Sequence, residues 1–317
     1  MKVKDNQMLE LREKKSFTKS RIDEHASTGI YYFKNYSIFN KYANKLLEEE
    51  STLLPEAYVS LLFNNMVDDG LSVVVHEVNK FICLGTPDDY EQYQFWWSYF
   101  TSEQKTLLNN DNNVKKVGLI PMAGKGSRFR EYGYRVAKPL IQINGKPMIF
   151  SILNSMPEQD QWIFLPRQKD LDRHPIKKTL LSFSENSIIV GVKTHTSGQA
   201  ATCLLAENMI DDDSELTIAS SDYEHRYNPE LWRAIIQNPA IDGAIWTYRS
   251  GSMVLKNPEM FAYCELKSDG FSVSRVVEKS TISNKPHLDP LVVGTFWFRH
   301  AGDFKLAANY LIDNDIR

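Results

Sequence analysis

The chain has 317 residues, 42% hydrophobic and 24% charged, an ordinary globular composition with room for one large domain or two small ones. A formal net charge of −3 argues weakly against nucleic acid as a partner, and three scattered cysteines (Cys83, Cys203, Cys264) without a CxxC pair fit a reduced cytoplasmic protein better than a zinc site or a disulfide framework. The N-terminal MKVKDNQMLELREKK is too polar for a signal peptide, and no apolar run reaches the roughly 18 residues of a membrane helix.

In chain order, AYVSLLFNNMVDDG (57–70) predicts a helix, LSVVVHEV (71–78) and FICLG (81–85) strands, and PDDYEQYQFWWSYF (87–100) a closing helix. The polar, Asn-rich stretch over 101–115 reads as a linker. KKVGLIP (115–121) and PLIQI (139–143) then predict strands. KPMIFSILNSM (146–156) is helical, with Pro147 near its start, where a missing N–H is harmless. QWIFLP (161–166) and SIIVGV (187–192) are strands, QAATCLLAENMI (199–210) a helix, ELTIASS (215–221) a strand and NPELWRAIIQ (228–237) a helix. GAIWTYR (243–249), FAYCEL (261–266) and VSRVVEK (273–279) complete the strands. This alternation implies an α/β three-layer sandwich with a mostly parallel, mixed central sheet, in which ligands sit beyond the carboxyl ends of the strands. Trp232, Trp246 and Trp297 fall in apolar patterns and read as core.

An internal repeat runs across this order. At an offset of 265 residues, Glu13-Lys14 faces Glu278-Lys279, and residues 29–50 face 294–315 without a gap. Gly29/Gly294, Phe33/Phe298, Phe39/Phe304, Ala43/Ala308, Asn44/Asn309 and Leu46/Leu311 are identical. The period is that of a whole domain rather than a solenoid unit. Residues 1–100 therefore read as the C-terminal part of a first copy, 101–115 as a linker and 116–317 as a second copy lacking its C-terminal end; a circular permutant is the alternative. On this reading 53–100 are expected to pack on the 116–317 sandwich in place of its missing end, leaving 1–50 displaced or poorly packed.

The chemistry concentrates after the strand at 115–121. In GLIPMAGKGSRF, Gly124 and Gly126 let backbone N–H groups approach an anion, and Lys125, Arg128 and Arg130 add charge. The loop is neither a Walker A nor a dinucleotide fingerprint, since Phe129 stands in the third glycine's place, and taken bare it is also compatible with a tight turn.

In context, PMAGKGSRFREYGYRVAKPLIQINGKPMI resembles the signature of the sugar-nucleotidyltransferase family: a glycine-rich loop ending in Ser/Thr-Arg, then Lys138-Pro139-Leu140, then Gly145-Lys146-Pro147-Met148. The resemblance extends through residue 298, and STGIYYF and LGTPDDYEQY resemble the family's C-terminal part. It implies a Rossmann-like, GT-A-like nucleotide-diphospho-sugar transferase fold. It also implies nucleotide contacts by Ala123, Gly124, Lys125, Gly126 and Ser127, with Arg128 on the triphosphate and Lys138 at the reacting phosphates. A fixed cation there stabilises charge on the α-phosphate and on departing pyrophosphate. Gly198 and Gln199 are expected at the base, with helix capping by Thr196 and Ser197 as a compatible reading. Asp222 is expected to bind Mg²⁺, with a cap for the helix at 228–237 as the alternative. The run Phe81 to Thr86 has Cys83 where the family has a second metal aspartate, so one aspartate or another second ligand is implied. Glu278, Lys279 and Gly294 are expected on the acceptor side, with a solvated ion pair as the plain alternative for the first two.

The resemblance thus implies a Mg²⁺-dependent nucleotidyltransferase joining NMP from an NTP to a sugar phosphate or similar phosphorylated small molecule, releasing pyrophosphate, in capsule or surface-glycan precursor synthesis. No nucleic acid or membrane partner is expected, and a homo-oligomer is compatible. Two alternatives stand beside it: a nucleotide-sugar-dependent glycosyltransferase of the same fold, disfavoured because SSDYEH lacks a second aspartate, and a non-catalytic nucleotide-binding regulatory copy.

Overall fold

The computed structural model describes residues 1–18, 24–49, 58–101, 114–249 and 257–315. The chain divides into two compact units, Met1–Asp89 and Tyr90–Arg317. Most of the linker segment lies outside the described residues.

The first unit opens with a hairpin of β1 (Lys2–Lys4) and β2 (Gln7–Glu10), turned by Asp5 and Asn6 with φ of 53° and 60°. Two positive φ values are what a two-residue hairpin turn of the right twist needs. α1 (Tyr36–Glu49) and α2 (Leu62–Asp68) pack on it, burying Met8, Leu11, Tyr42, Leu46, Leu62, Phe63 and Met66 in one core. Asn64 ties the backbone of Leu11 at both its N–H and its carbonyl (2.8 and 2.9 Å). The described part of 1–49 is therefore not poorly packed, contrary to the expectation from sequence: Met8, Leu11, Tyr42 and Leu46 share a core with Leu62, Phe63 and Met66. The expected strands at 71–78 and 81–85 do not form. Val74 makes a single bridge to Gln7, with the Met8 N–H donating to Val73 O (2.9 Å) and the Val75 N–H to Asn6 O (2.8 Å), and Phe81, Ile82 and Leu84 stay exposed. α3 (Pro87–Thr101) starts at a reciprocal cap between Thr86 and Asp89. From Tyr90 onward it belongs with the second unit, where the Arg226 guanidinium lies 4.5 Å from the centre of the Tyr99 ring.

The second unit is built on an eight-stranded sheet. β3 (Lys116–Met122), β6 (Gln161–Pro166), β7 (Ile188–Ile189) and β8 (Glu215–Ala219) are parallel. Numbered among themselves in chain order, they lie 3-2-1-4 across the sheet, with β3 between β6 and β8. β12 (Leu291–Phe298) continues antiparallel beside β8, followed by β10 (Ala262–Leu266) and β11 (Val273–Glu278), while β9 (Gly243–Tyr248) also pairs with β12. A small hairpin of β4 (Gln142–Ile143) and β5 (Lys146–Pro147) takes the place of the strand expected at 139–143.

Side-chain alternation makes the three layers. Val117 and Leu119 of β3, with Ile163 and Leu165 of β6, face α8 (Gln199–Cys203), the 3-10 turn after it and α10 (Ala301–Asp313). Ile120 and Met122, with Trp162 and Phe164, face α5 (Met148–Asn154) and α7 (Ile176–Phe183). Trp232 of α9 (Pro229–Gln237) packs edge-on against Trp297 at 5.4 Å, and Trp246 joins them, so all three tryptophans are core.

The repeat has a backbone counterpart. Lys14 and Lys279 both hold left-handed φ (55° and 51°), as do Gly29 and Gly294 (80° and 85°), and α1 and α10 start in register. The strand between differs. Thr295 and Trp297 are 1% exposed in β12, whereas their counterparts Ile30 and Tyr32 are 85% and 81% exposed and in no strand. β12 lies between β8 and β9, which have no counterpart among the described residues of the first unit.

Candidate functional site

A cavity of about 660 Å³ opens beyond the C-terminal ends of β3, β6 and β8. In the 3-2-1-4 order the strand connections reverse direction between β3 and β8, the crevice where open α/β sheets bind ligands.

The loop Ala123–Gly126 leaves β3 at its centre. Gly126 has φ of 59° and leads into α4 (Ser127–Glu131). Apart from its chain neighbours, no described residue lies within 4 Å of where a Cβ on Gly124 would sit, so packing alone does not require a glycine there. Arg130 donates to the carbonyl of Lys125 and pins the loop's outer side. Ala123, Gly124, Lys125 and Gly126 line the cavity; Ser127 and Arg128 are exposed beside it and do not.

Lys138 sits on a 3-10 turn, and its Nζ donates to Asp222 Oδ2 across the cavity, 5.5 Å from the centre of the Phe129 ring. Two residues 84 apart in sequence, expected respectively at the phosphates and at a metal, thus share one ion pair. Asp222 caps no helix: Asn228 caps α9, accepting from Glu230 and Leu231 N–H at 2.9 and 3.1 Å. Ser220 also lines the cavity, and its buried hydroxyl has no hydrogen-bond partner among the described residues. The Ser220 N–H donates to Gly294 O (3.0 Å), so Gly294 stands directly behind the cavity wall.

Among the described residues no three His, Cys, Asp or Glu side chains converge as a metal cage. Asp222 beside the unpartnered Ser220 hydroxyl nonetheless suits Mg²⁺, which is held by one or two carboxylates together with substrate phosphates and water. Cys83 lies in the other unit, exposed and within hydrogen-bonding distance of Asp89.

Gly198 and Gln199 also line the cavity, where α8 begins. Neither Thr196 nor Ser197 caps that helix; Thr196 Oγ1 pairs with Thr202 Oγ1 at 2.6 Å. Glu278 and Lys279 are exposed at the end of β11 and do not line the cavity, and neither forms an ion pair among the described residues.

Sequence reasoning missed most of the cavity's charge. Eight Lys and Arg side chains line it against two aspartates. Besides Lys125, Arg130 and Lys138 these are Arg135, then Arg167, Lys169 and Arg173 after β6, and Lys193 after β7. The signal was a cation following each strand end, in LPRQK and GVKTH. Both aspartates are already paired, Asp222 with Lys138 and Asp170 with Arg167. Behind the Asp222 loop, burial pushes the Tyr223 hydroxyl up, and the nearby Asp222 charge adds to this while Arg128 opposes it. Burial also holds His225 down to about 4.

The family model described as Nucleotidyl transferase matches residues 117–309. Among solved structures, the chain is similar to a nucleoside-diphosphate-sugar pyrophosphorylase from Vibrio cholerae RC9, at 21% identity over 62% of this chain and 78% of that one, with a TM-score of 0.48. It is also similar to the inositol-1-phosphate CTP transferase from T. maritima, at 13% identity over 61% and 74% respectively, with a TM-score of 0.49. No curated protein sequence matches it.

Proposed function

The chain belongs to the nucleotidyl transferase family, and on that premise we propose that it transfers NMP from an NTP to a sugar phosphate or similar phosphorylated acceptor, releasing pyrophosphate. The observation that carries this reading is the cation-rich cavity at the strand-order reversal, with the glycine loop, Lys138 and Asp222 together at its centre. Two polyanionic substrates need such a lining; an acceptor phosphate is already anionic, so no general base has to be found.

In this reading the Gly124 and Gly126 backbone and Lys125 hold the triphosphate, and Arg128 reaches it from the rim when the loop closes on it. Lys138 meets the charge that builds on the α-phosphate and on leaving pyrophosphate. Asp222 would hold Mg²⁺ together with the phosphates, and the ion supplies charge neutralisation there. Since Lys138 and Asp222 neutralise each other in the free protein, nucleotide must separate them. Gln199 and Gly198 take the nucleoside end. Gly294, Glu278 and Lys279 serve the acceptor. Capsule or surface-glycan precursor synthesis in a reduced cytoplasm is the setting. Residues 1–100 are the C-terminal part of a first copy, a reading supported by the matched backbone at Lys14/Lys279 and Gly29/Gly294.

Pyrophosphate release from each NTP with a panel of phosphorylated acceptors tests the reaction. Lys138→Ala should lower kcat/KM by about a hundredfold or more, and Asp222→Asn should raise the Mg²⁺ requirement or abolish turnover. Tight NTP binding without turnover on any acceptor would favour a regulatory copy, and normal turnover by folded Lys138→Ala would end that assignment.

A further inference from the structure

We propose that Arg167, held by Asp170, reads the nucleobase and selects a base presenting two adjacent hydrogen-bond acceptors: cytosine through N3 and O2, or guanine through O6 and N7. The inference rests on the nucleotide reading of this cavity and deepens it.

Sheet order fixes which end of the cavity is which. The glycine loop follows β3, Asp222 follows β8 on one side, and Gly294 on β12 lies beyond β8 on that same side. With phosphates at the glycine loop and the Lys138–Asp222 pair, the nucleoside can extend away from β8 toward β6, where Arg167 lines the wall; the start of α8 at Gln199, a helix that packs on β3, lines the same cavity. Arg167 follows the last residue of β6, and its backbone is fixed there by a bridge to Val192 and by the adjacent Gln168 N–H donating to Val192 O (2.9 Å).

Its side chain is fixed as well. Nε and Nη2 donate to the two oxygens of Asp170 at 2.8 and 2.7 Å, with both side chains largely buried (22% and 14% exposed). A guanidinium has five N–H donors in one rigid plane. The Asp170 grip uses one edge. It leaves Nη1 and the outer Nη2 hydrogen, and Nη1 has no partner among the described residues. That remainder is a two-pronged, donor-only fork of fixed orientation. It matches two neighbouring acceptors, the geometry by which arginine picks guanine from other bases. Adenine offers no such pair on its exposed edges, and in uracil and thymine the N3–H donor separates the two carbonyls. A wrong base leaves a buried fork half-used, which penalises binding more than a merely loose fit. Asp170 is the positioning residue: its own two oxygens are consumed by Arg167.

The test is equilibrium binding of CTP, GTP, ATP, UTP and dTTP to the full chain without acceptor, by calorimetry, with inorganic triphosphate as the base-free probe. CTP or GTP should bind about tenfold or more tighter than ATP, UTP and dTTP. Arg167→Met and Arg167→Lys should both erase that preference, because a lysine restores the charge but not the fork, while triphosphate affinity stays within about twofold by the same logic. Thermal melts identify a variant that fails to fold, in which case the folded one decides. A wild type that binds all five nucleotides equally, or prefers ATP, UTP or dTTP, overturns the assignment. So does a preference that survives both substitutions, or a loss shared equally with triphosphate, which would place Arg167 on phosphate. These results leave the transferase reading standing; binding of no nucleotide at all overturns both.

Discussion

At Gly118, in the middle of β3, a Cβ would meet Trp162 ring carbons at 2.4 and 2.5 Å. The neighbouring strand's tryptophan, stacked on Phe164 and edge-on to Phe183, occupies the space a side chain would need. Because the ring is hemmed in, it cannot swing aside cheaply. Gly118→Ala should destabilise the chain by about 1–3 kcal/mol through overpacking, read as a lowered denaturant midpoint; an unchanged midpoint would show that the ring relaxes freely. His225 makes a second residue-scale case. It is buried against Tyr227 and Trp246, and that burial holds its pKa at about 4, below the ordinary 6.5. Between those values the unfolded chain takes up a proton that the folded chain refuses. Stability is therefore full above pH 6.5, falls as the pH drops toward 4, and loses roughly 3 kcal/mol on the way. Melting temperatures of wild type and His225→Phe across that range check this: the variant's profile should be flatter, and parallel profiles would contradict it.

Elements show where sequence patterns carry and where they do not. α9 is marked by Asn228 at its cap and Pro229 at its first position, and the structure uses both. Asn228→Ala should cost about 1 kcal/mol, measurable by denaturant melts, while Asn228→Asp should cost little. β3 and β6 were legible because each is a short apolar run ending at a proline or glycine signal, buried on both faces. α6 (Gln168–Arg173) and α7 were missed: Pro175 breaks their spacing, and the charged stretch before it looks like loop. The strand expected at 81–85 failed for the opposite reason. Its residues favour a strand, yet a strand needs a partner edge, and propensity does not supply one. The same contrast separates Tyr32 from Trp297, nearly equivalent in sequence and opposite in burial. The candidate site divides in the same way. The glycine loop and Lys138 were readable as local motifs, and Asp222 as a strand-end carboxylate. The pairing of Lys138 with Asp222 and the gathering of Arg167, Arg173 and Lys193 are products of strand order, which no local window contains.

For the whole molecule, each unit keeps its own apolar core, one around Tyr42 and Phe63, the others on the two faces of the eight-stranded sheet. Charge is shared less evenly. The chain carries a formal −3, yet the cavity is lined by eight basic side chains and two acidic ones, so acidic residues dominate elsewhere. The basic excess at the cleft is therefore set against a net acidic remainder, and a polyanion is drawn to the cleft mouth. Clefts of one sign with low-dielectric walls focus field lines and raise capture rates, an effect damped once the screening length falls to about 10 Å near 0.1 M salt. The consequence is kinetic. The association rate constant for an NTP, followed by stopped-flow tryptophan fluorescence, should fall about tenfold or more between 10 and 200 mM NaCl, whereas an uncharged nucleoside should bind at a rate that salt leaves nearly unchanged. Equal salt dependence for the two would mean that the cleft's basic lining acts only after contact and plays no part in drawing the nucleotide in.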